Sequence, residues 1–218
     1  MRITLKITFC TLVWLAANYR TQAQGAFQNL DFEQAKIIPI SGSPDFPLAV
    51  DVTNAMPGWT AYIGGAAENV IIYDTISLGA AQISIHDNNS TKPVLEGAYT
   101  VFLQPSFPSG SLSAGVGQTG QIPLGSMSLS FYGTGAYSVT FAGQQIALSA
   151  LGTGQNYTIF GGDVSMFANQ TGELRFTGAG LLDNIVFSSQ AIPEPGTIAL
   201  SGLALVACVT RLRKKLER

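Results

Sequence analysis

The sequence predicts an all-β body, an antiparallel β-sandwich of the jelly-roll type, held between two addressing segments. Three observations predict it. Apolar and polar residues alternate with period two in short runs, as in Met127-Ser128-Leu129-Ser130-Phe131 and Tyr137-Ser138-Val139-Thr140-Phe141. Glycine-containing breaks separate the runs, among them Gly133-Thr134-Gly135, Ala142-Gly143-Gln144, Gly152-Thr153-Gly154, Gly161-Gly162 and Gly178-Ala179-Gly180. No amphipathic helical period of useful length occurs between residues 24 and 190. Strands every eight to twelve residues or so are the spacing of sandwiches and jelly rolls.

Taken in order, residues 1–23 read as a secretory signal peptide. Arg2 and Lys6 form a basic start, residues 7–17 an apolar core, and Ala23 a small residue at the expected cut. The body follows, over residues 24–190. Residues 38–47 are proline-rich and read as an irregular excursion. Residues 69–74, 82–86, 98–103, 127–131, 137–141, 146–149, 156–160, 173–177 and 183–187 read as strands, and residues 163–169 as one helical turn.

The third segment is residues 191–218. Pro193-Glu194-Pro195 precedes an apolar run, residues 197–210, and then the basic cluster Arg211, Arg213, Lys214 and Lys215. Fourteen residues of helix span only about 21 Å, short of a ~30 Å hydrocarbon core. Leu212 and the stems of Arg211 and Arg213 extend the apolar length by snorkelling, so a single transmembrane helix is expected over about residues 196–212. The basic cluster marks the cytoplasmic side and leaves the body outside. This order of tripeptide, apolar helix and basic end resembles the PEP-CTERM sorting signal of bacterial proteins. The resemblance implies an exosortase-type transpeptidase as partner, cleavage near the motif, and delivery to the cell surface or extracellular matrix. The two prolines keep that strip extended and accessible. Permanent anchoring by an uncut tail is the alternative.

Charge narrows the function of the body. Residues 24–192 hold Lys36, Lys92 and Arg175 against eleven carboxylates. An acidic body has no basic footprint for nucleic acid. Both cysteines, Cys10 and Cys208, lie in the terminal segments, so the body has no disulfide, thiol nucleophile or thiolate metal site. His86 is the one histidine, which excludes histidine metal clusters. Asp87 follows it directly, and neighbours on a strand point to opposite faces, so Asp87 is poorly placed to orient the ring. No serine lies in a nucleophile-elbow pattern, and no glycine run carries a phosphate loop's Lys-Ser/Thr. The body therefore reads as non-catalytic.

Asn29-Leu30-Asp31-Phe32-Glu33, Pro57-Gly58-Trp59 and Leu182-Asp183-Asn184-Ile185 resemble the opening and closing of galactose-binding-like carbohydrate-binding modules. That resemblance implies a jelly roll, a polysaccharide ligand, and a structural calcium held by Glu33 and Asp183. Trp59, after its Pro-Gly turn, is the first candidate to stack on a sugar; Tyr62, Tyr99, Phe102, Tyr132, Tyr137 and Tyr157 are others. The rival reading is a secreted glycan-active hydrolase using two acids such as Glu68 and Asp74.

Overall fold

The computed structural model describes residues 25–107 and 110–192. The expected signal peptide and sorting tail lie outside the described residues. The body is all-β apart from two single turns of helix. In chain order the elements are β1 (Ala49–Asp51), α1 (Val52–Ala55), β2 (Thr60–Ile63), β3 (Ala66–Glu68), β4 (Val70–Tyr73), β5 (Gln82–Asp87), β6 (Tyr99–Gln104) and β7 (Ala114–Gln121). There follow β8 (Ser128–Gly133), β9 (Ala136–Phe141), β10 (Gln144–Ile146), β11 (Ser149–Thr153), β12 (Thr158–Asp163), a 3-10 turn (Ser165–Phe167) and β13 (Thr171–Ser188). The 3-10 turn falls where one helical turn is expected. The turn α1 starts where Asp51 Oδ1 accepts the Thr53 N–H at 2.8 Å, an N-cap.

The strands form two sheets that share β13. One sheet runs β3-β2-β7-β13-β9-β10 and uses the first half of β13. The other runs β1-β4-β5-β6-β13-β8-β12-β11 and uses the second half. Pairing is antiparallel except between β4 and β5, which are parallel, because residues 74–81 carry the chain back to the start of its neighbour. Neither sheet closes into a barrel. Alternation places Ala61, Val116, Val139, Leu174 and Phe176 of the first sheet and Ile83, Ile85, Val101, Leu103, Phe131 and Leu182 of the second in one buried core.

The expected turn at Gly178-Ala179-Gly180 lies inside the 18-residue strand β13, where it passes from one sheet to the other. The glycines serve close approach. A Cβ on Gly135 would lie 1.6 Å from the Ala179 carbonyl oxygen. Gly133, Gly178 and Gly180 leave the space that the Tyr137 ring fills, and the Tyr137 hydroxyl donates to the Leu181 carbonyl. Gly161-Gly162, also an expected turn, lies within β12. There a side chain would collide with Leu151 and Ile192 on one face and Ile146 on the other. The expected run 146–149 is divided instead between β10 and β11.

Further along β13, Asp183 pairs with Tyr132 and Val186 with Ser130, so Asn184 and Ile185 together oppose Phe131. This is a β-bulge, with Asn184 at φ +44°. The N–H of Ile185, freed from the ladder, donates to the Leu30 carbonyl at 2.9 Å and ties the N-terminal segment to the strand.

The substitution Gly135→Ala is expected to cost about 3 kcal/mol or more, since backbone rather than a yielding side chain occupies the site. Gly143→Ala, at φ +79° with open space around it, should cost only about 1 kcal/mol. Equilibrium urea unfolding of both variants checks the difference.

Candidate functional site

Four places in the body could carry chemistry, and the first is the point of exit toward the tail. Met127 N–H donates to the Ser188 carbonyl at 2.8 Å, and Ser128 Oγ to the Gln190 carbonyl at 2.7 Å. These bonds pin the end of β13 to the start of β8, so the last described residues leave the body in a fixed place. Pro193, Glu194, Pro195, Arg211, Arg213, Lys214 and Lys215 lie outside the described residues. Among the described residues, no helix is long and apolar enough to cross a membrane.

The second place is the segment 96–100, where Glu33 and Asp183 meet. Glu33 Oε1 accepts the N–H groups of Ala98 at 2.8 Å and Tyr99 at 3.1 Å. Gly97, at φ +67°, leaves room for that carboxylate, since a Cβ there would lie 2.3 Å from Oε1. Asp183 is fully buried. Its Oδ2 accepts from Thr100 Oγ1 at 2.5 Å and Glu96 N at 3.1 Å, and its Oδ1 from Asn184 N at 2.7 Å. Burial pushes the Asp183 carboxyl up to about 7 against these bonds, with the Glu33 charge adding to the rise. The expected calcium ligands are thus brought to one segment. Their immediate partners, however, are N–H and O–H donors, opposite in polarity to the oxygen shell a calcium ion takes. Among the described residues, no three or more acidic, histidine or cysteine side chains gather as a metal set. The donor set does not fit calcium, and both carboxylates act as anchors for the segment.

The third place surrounds His86. Its Nε2 lies 2.8 Å from Ser84 Oγ, its Nδ1 2.6 Å from Ser90 Oγ, and Asp74 Oδ1 stands 3.8 Å from Nδ1. As strand alternation requires, Asp87 does not orient the ring; it accepts from Tyr73 Oη at 2.6 Å and from Asn89 N at 2.7 Å. The Tyr73 hydroxyl lowers the Asp87 carboxyl, whereas burial raises that of Asp74. Asp74 was not legible beside His86, because only the return of residues 74–81 brings it there. Serine, histidine and carboxylate resemble a nucleophilic set, but Ser84 and His86 are both fully buried and no substrate reaches them. Burial, followed by the Lys92 charge, holds the imidazole down at about 4. A neutral His86 bonded through both nitrogens locks the turn after β5.

The fourth place is the outer face of the first sheet. There Gly115 and Gly117 keep β7 low, buried beneath the side chains of Thr177, Glu173 and Tyr62. Tyr62 and Arg175 rise beside it. The Arg175 guanidinium lies 3.8 Å from the Tyr62 ring centroid, and Glu173 Oε1 accepts from Tyr62 Oη at 2.8 Å and Arg175 Nη2 at 3.0 Å. Burial, then the Glu173 hydrogen bond, raises the Tyr62 phenol. Register aligns Thr60, Gly117, Arg175, Thr140 and Gln145 in one row across five strands. Sequence reading listed Tyr62 but missed the rest of this face, because the glycine-rich β7 has too few large side chains to show as a strand.

The other sequence candidates fare differently. Trp59 is 4% exposed, packs on Phe32 and Phe176, and donates Nε1–H to the Asn29 carbonyl at 2.9 Å. It is a core residue with no ring face free for a sugar. Tyr137 fills the glycine space at the crossing, and Tyr132 stacks on Tyr157 at 4.1 Å. Tyr99 packs against the core edge, and Phe102 lies under Lys92. Glu68 and Asp74 flank opposite ends of β4, so they do not face one another. Glu68 instead lines a cleft of about 730 Å³ with Asp45, Leu48, Val70, Ile76 and Gln82.

A family model for the PEP-CTERM protein-sorting motif matches residues 191–215. No curated protein matches the chain. No solved structure matches it either.

The buried imidazole predicts a pH dependence. A histidine held at about 4, below its ordinary 6.5, adds stability that is complete above pH 6.5 and lost as pH falls through about 4. Between those limits the native chain should lose roughly 3 kcal/mol more than His86→Gln. Urea unfolding of both chains from pH 7 to 4 checks it; the opposite effect of Asp183 is common to both and cancels.

Proposed function

We propose that this chain, an exported protein whose PEP-CTERM motif marks it for an exosortase-type sorting enzyme, serves after sorting as a non-catalytic component of the cell surface or extracellular matrix that binds polysaccharide weakly. The sorting motif at residues 191–215 supports export and sorting. The observation that carries the binding role is the row of polar side chains across the outer face of the first sheet.

That face matches what an extended neutral glycan needs. The side chains of Tyr62, Glu173 and Thr177 close over Gly115 and Gly117, so that polar groups lie along one surface across the strands. Thr60, Thr119, Ser138, Thr140 and Thr177 offer hydroxyls, and Arg175 and Glu173 offer charged hydrogen-bonding groups. Stacking Arg175 on Tyr62 limits the side-chain freedom lost on binding. The acidic body, with Arg175 neutralised by Glu173, favours a neutral polymer over an anionic one. Recognition here is by hydrogen bonding along a sheet rather than by ring stacking at Trp59. The two-sheet body is read as a jelly-roll relative on this account, and its core supplies rigidity without a structural ion.

Affinity electrophoresis of the body through gels containing neutral and acidic polysaccharides tests the reading. Retardation is expected with a neutral polymer, and Arg175→Ala should weaken it about tenfold, the scale of one hydrogen bond to a charged group. Unaltered mobility in every polymer, or equal retardation of Arg175→Ala, contradicts the role assigned to this face.

A further inference from the structure

The end of the body where the chain leaves is apolar, and the short link beyond it dictates what that end faces. The connection from β7 to β8, residues 122–127, and the connection from β12 to β13, residues 164–170, close this end together. Asn169 N–H donates to the Ile122 carbonyl at 3.0 Å, and Val164 N–H to the Met127 carbonyl at 3.0 Å. Leu124 is 83% exposed here, Met166 66%, and Met127 and Leu151 42% each. A Cβ on Gly161 would touch both Leu151 and Ile192, so Leu151 lies beside the departing chain. Across residues 121–127, 161–170 and 186–192 the one charged side chain is Asp163, whose carboxylate is turned onto the Ser165 N–H at 2.7 Å.

Single exposed apolar residues are ordinary. A group of four at a chain exit, nearly free of charge, is a surface that water solvates poorly. The link gives it an occupant. Only residues 193–196 separate Ile192 from the apolar run that begins at Thr197. Fully extended, those five residue steps reach roughly 17 Å at most. The headgroup layer takes about 5–7 Å of that. A body tethered so closely must present its exit end to the lipid.

We propose that Leu124, Met127, Leu151 and Met166 form a lipid-contact surface that rests in the headgroup layer while the uncut tail holds the chain. The proposal deepens the sorting reading and rests on insertion of residues 197–210 into the bilayer. Contact fixes the tilt of the body on the membrane. It also leaves the outer face of the first sheet directed into solvent. After the tail is cut, these side chains alone hold the body weakly, and it departs.

The full chain, reconstituted in phosphatidylcholine vesicles with or without brominated acyl chains, tests the proposal. The indoles introduced by Leu124→Trp and Met166→Trp, after subtraction of parental emission from Trp14 and Trp59, should lie within the outer ~5–10 Å of the bilayer and be quenched about twofold or more. Leu78→Trp and Phe107→Trp provide controls on the connections at the opposite ends of β5 and β6. Both are exposed, at 105% and 79%, and neither should be quenched. Flotation with the vesicles but equal quenching at both ends, or none at Leu124 and Met166, overturns the contact surface and leaves the tail reading intact. Failure to float with the vesicles overturns both.

Discussion

The passage of one strand between two sheets is the constraint on which the rest of the structure depends. Strand β13 pairs with β7 over residues 171–178 and with β9 over 174–179, then with β6 at Gly180–Leu182 and with β8 from Leu182 to Ser188. Its change of sheet brings backbone closer than side chains allow, and Gly135, Gly178 and Gly180 make that approach possible. Tyr137 occupies the space the glycines leave and bonds across the crossing. From this one strand hang the polar face at Glu173 and Arg175, the buried Asp183, and the exit at Ser188. A disruption at the crossing would therefore be felt at all three.

Buried polar groups do structural rather than chemical work in this body. Asp183 and His86 are both sealed from water, and each is surrounded by hydrogen-bonding partners. Burial drives both toward their neutral forms, which raises the carboxyl and lowers the imidazole. Each holds the long connection between β5 and β6: His86 at Ser90, Asp183 at the Glu96 N–H and at Thr100. An exported domain without cysteines to staple it can order a long surface connection in this way. The outer face of the first sheet is different, because its Glu173, Arg175 and Tyr62 lie at the surface.

The class of fold was legible because apolar residues alternate in β8 and β9, and alternation reports a sheet with one face buried. Glycine misled the reading in both directions. Gly178-Ala179-Gly180 has the composition of a turn, but its glycines provide clearance inside a strand. The strand β7, with Gly115, Gly117 and Gly120, shows little periodicity of its own because its neighbours cover it. Glu33 and Asp183 both bond to the segment 96–100, which no local pattern in the sequence announces. Trp59 follows a Pro-Gly turn that would expose it, except that the N-terminal segment folds back and supplies Asn29 and Phe32 as its partners. Long-range return of the chain decided each of these cases.

The tail was legible because its signal is local: motif, apolar run and basic end follow one another within 26 residues. Export, sorting and a surface destination make one account, in which the body is delivered by an end it then loses. Intact mass of the protein recovered from its native cells, in membrane and extracellular fractions, tests that account most directly. The prediction is a chain outside the membrane that lacks residues 1–23 and the apolar run from Thr197 onward. A chain found only in the membrane, with residues 197–218 still attached, would contradict it.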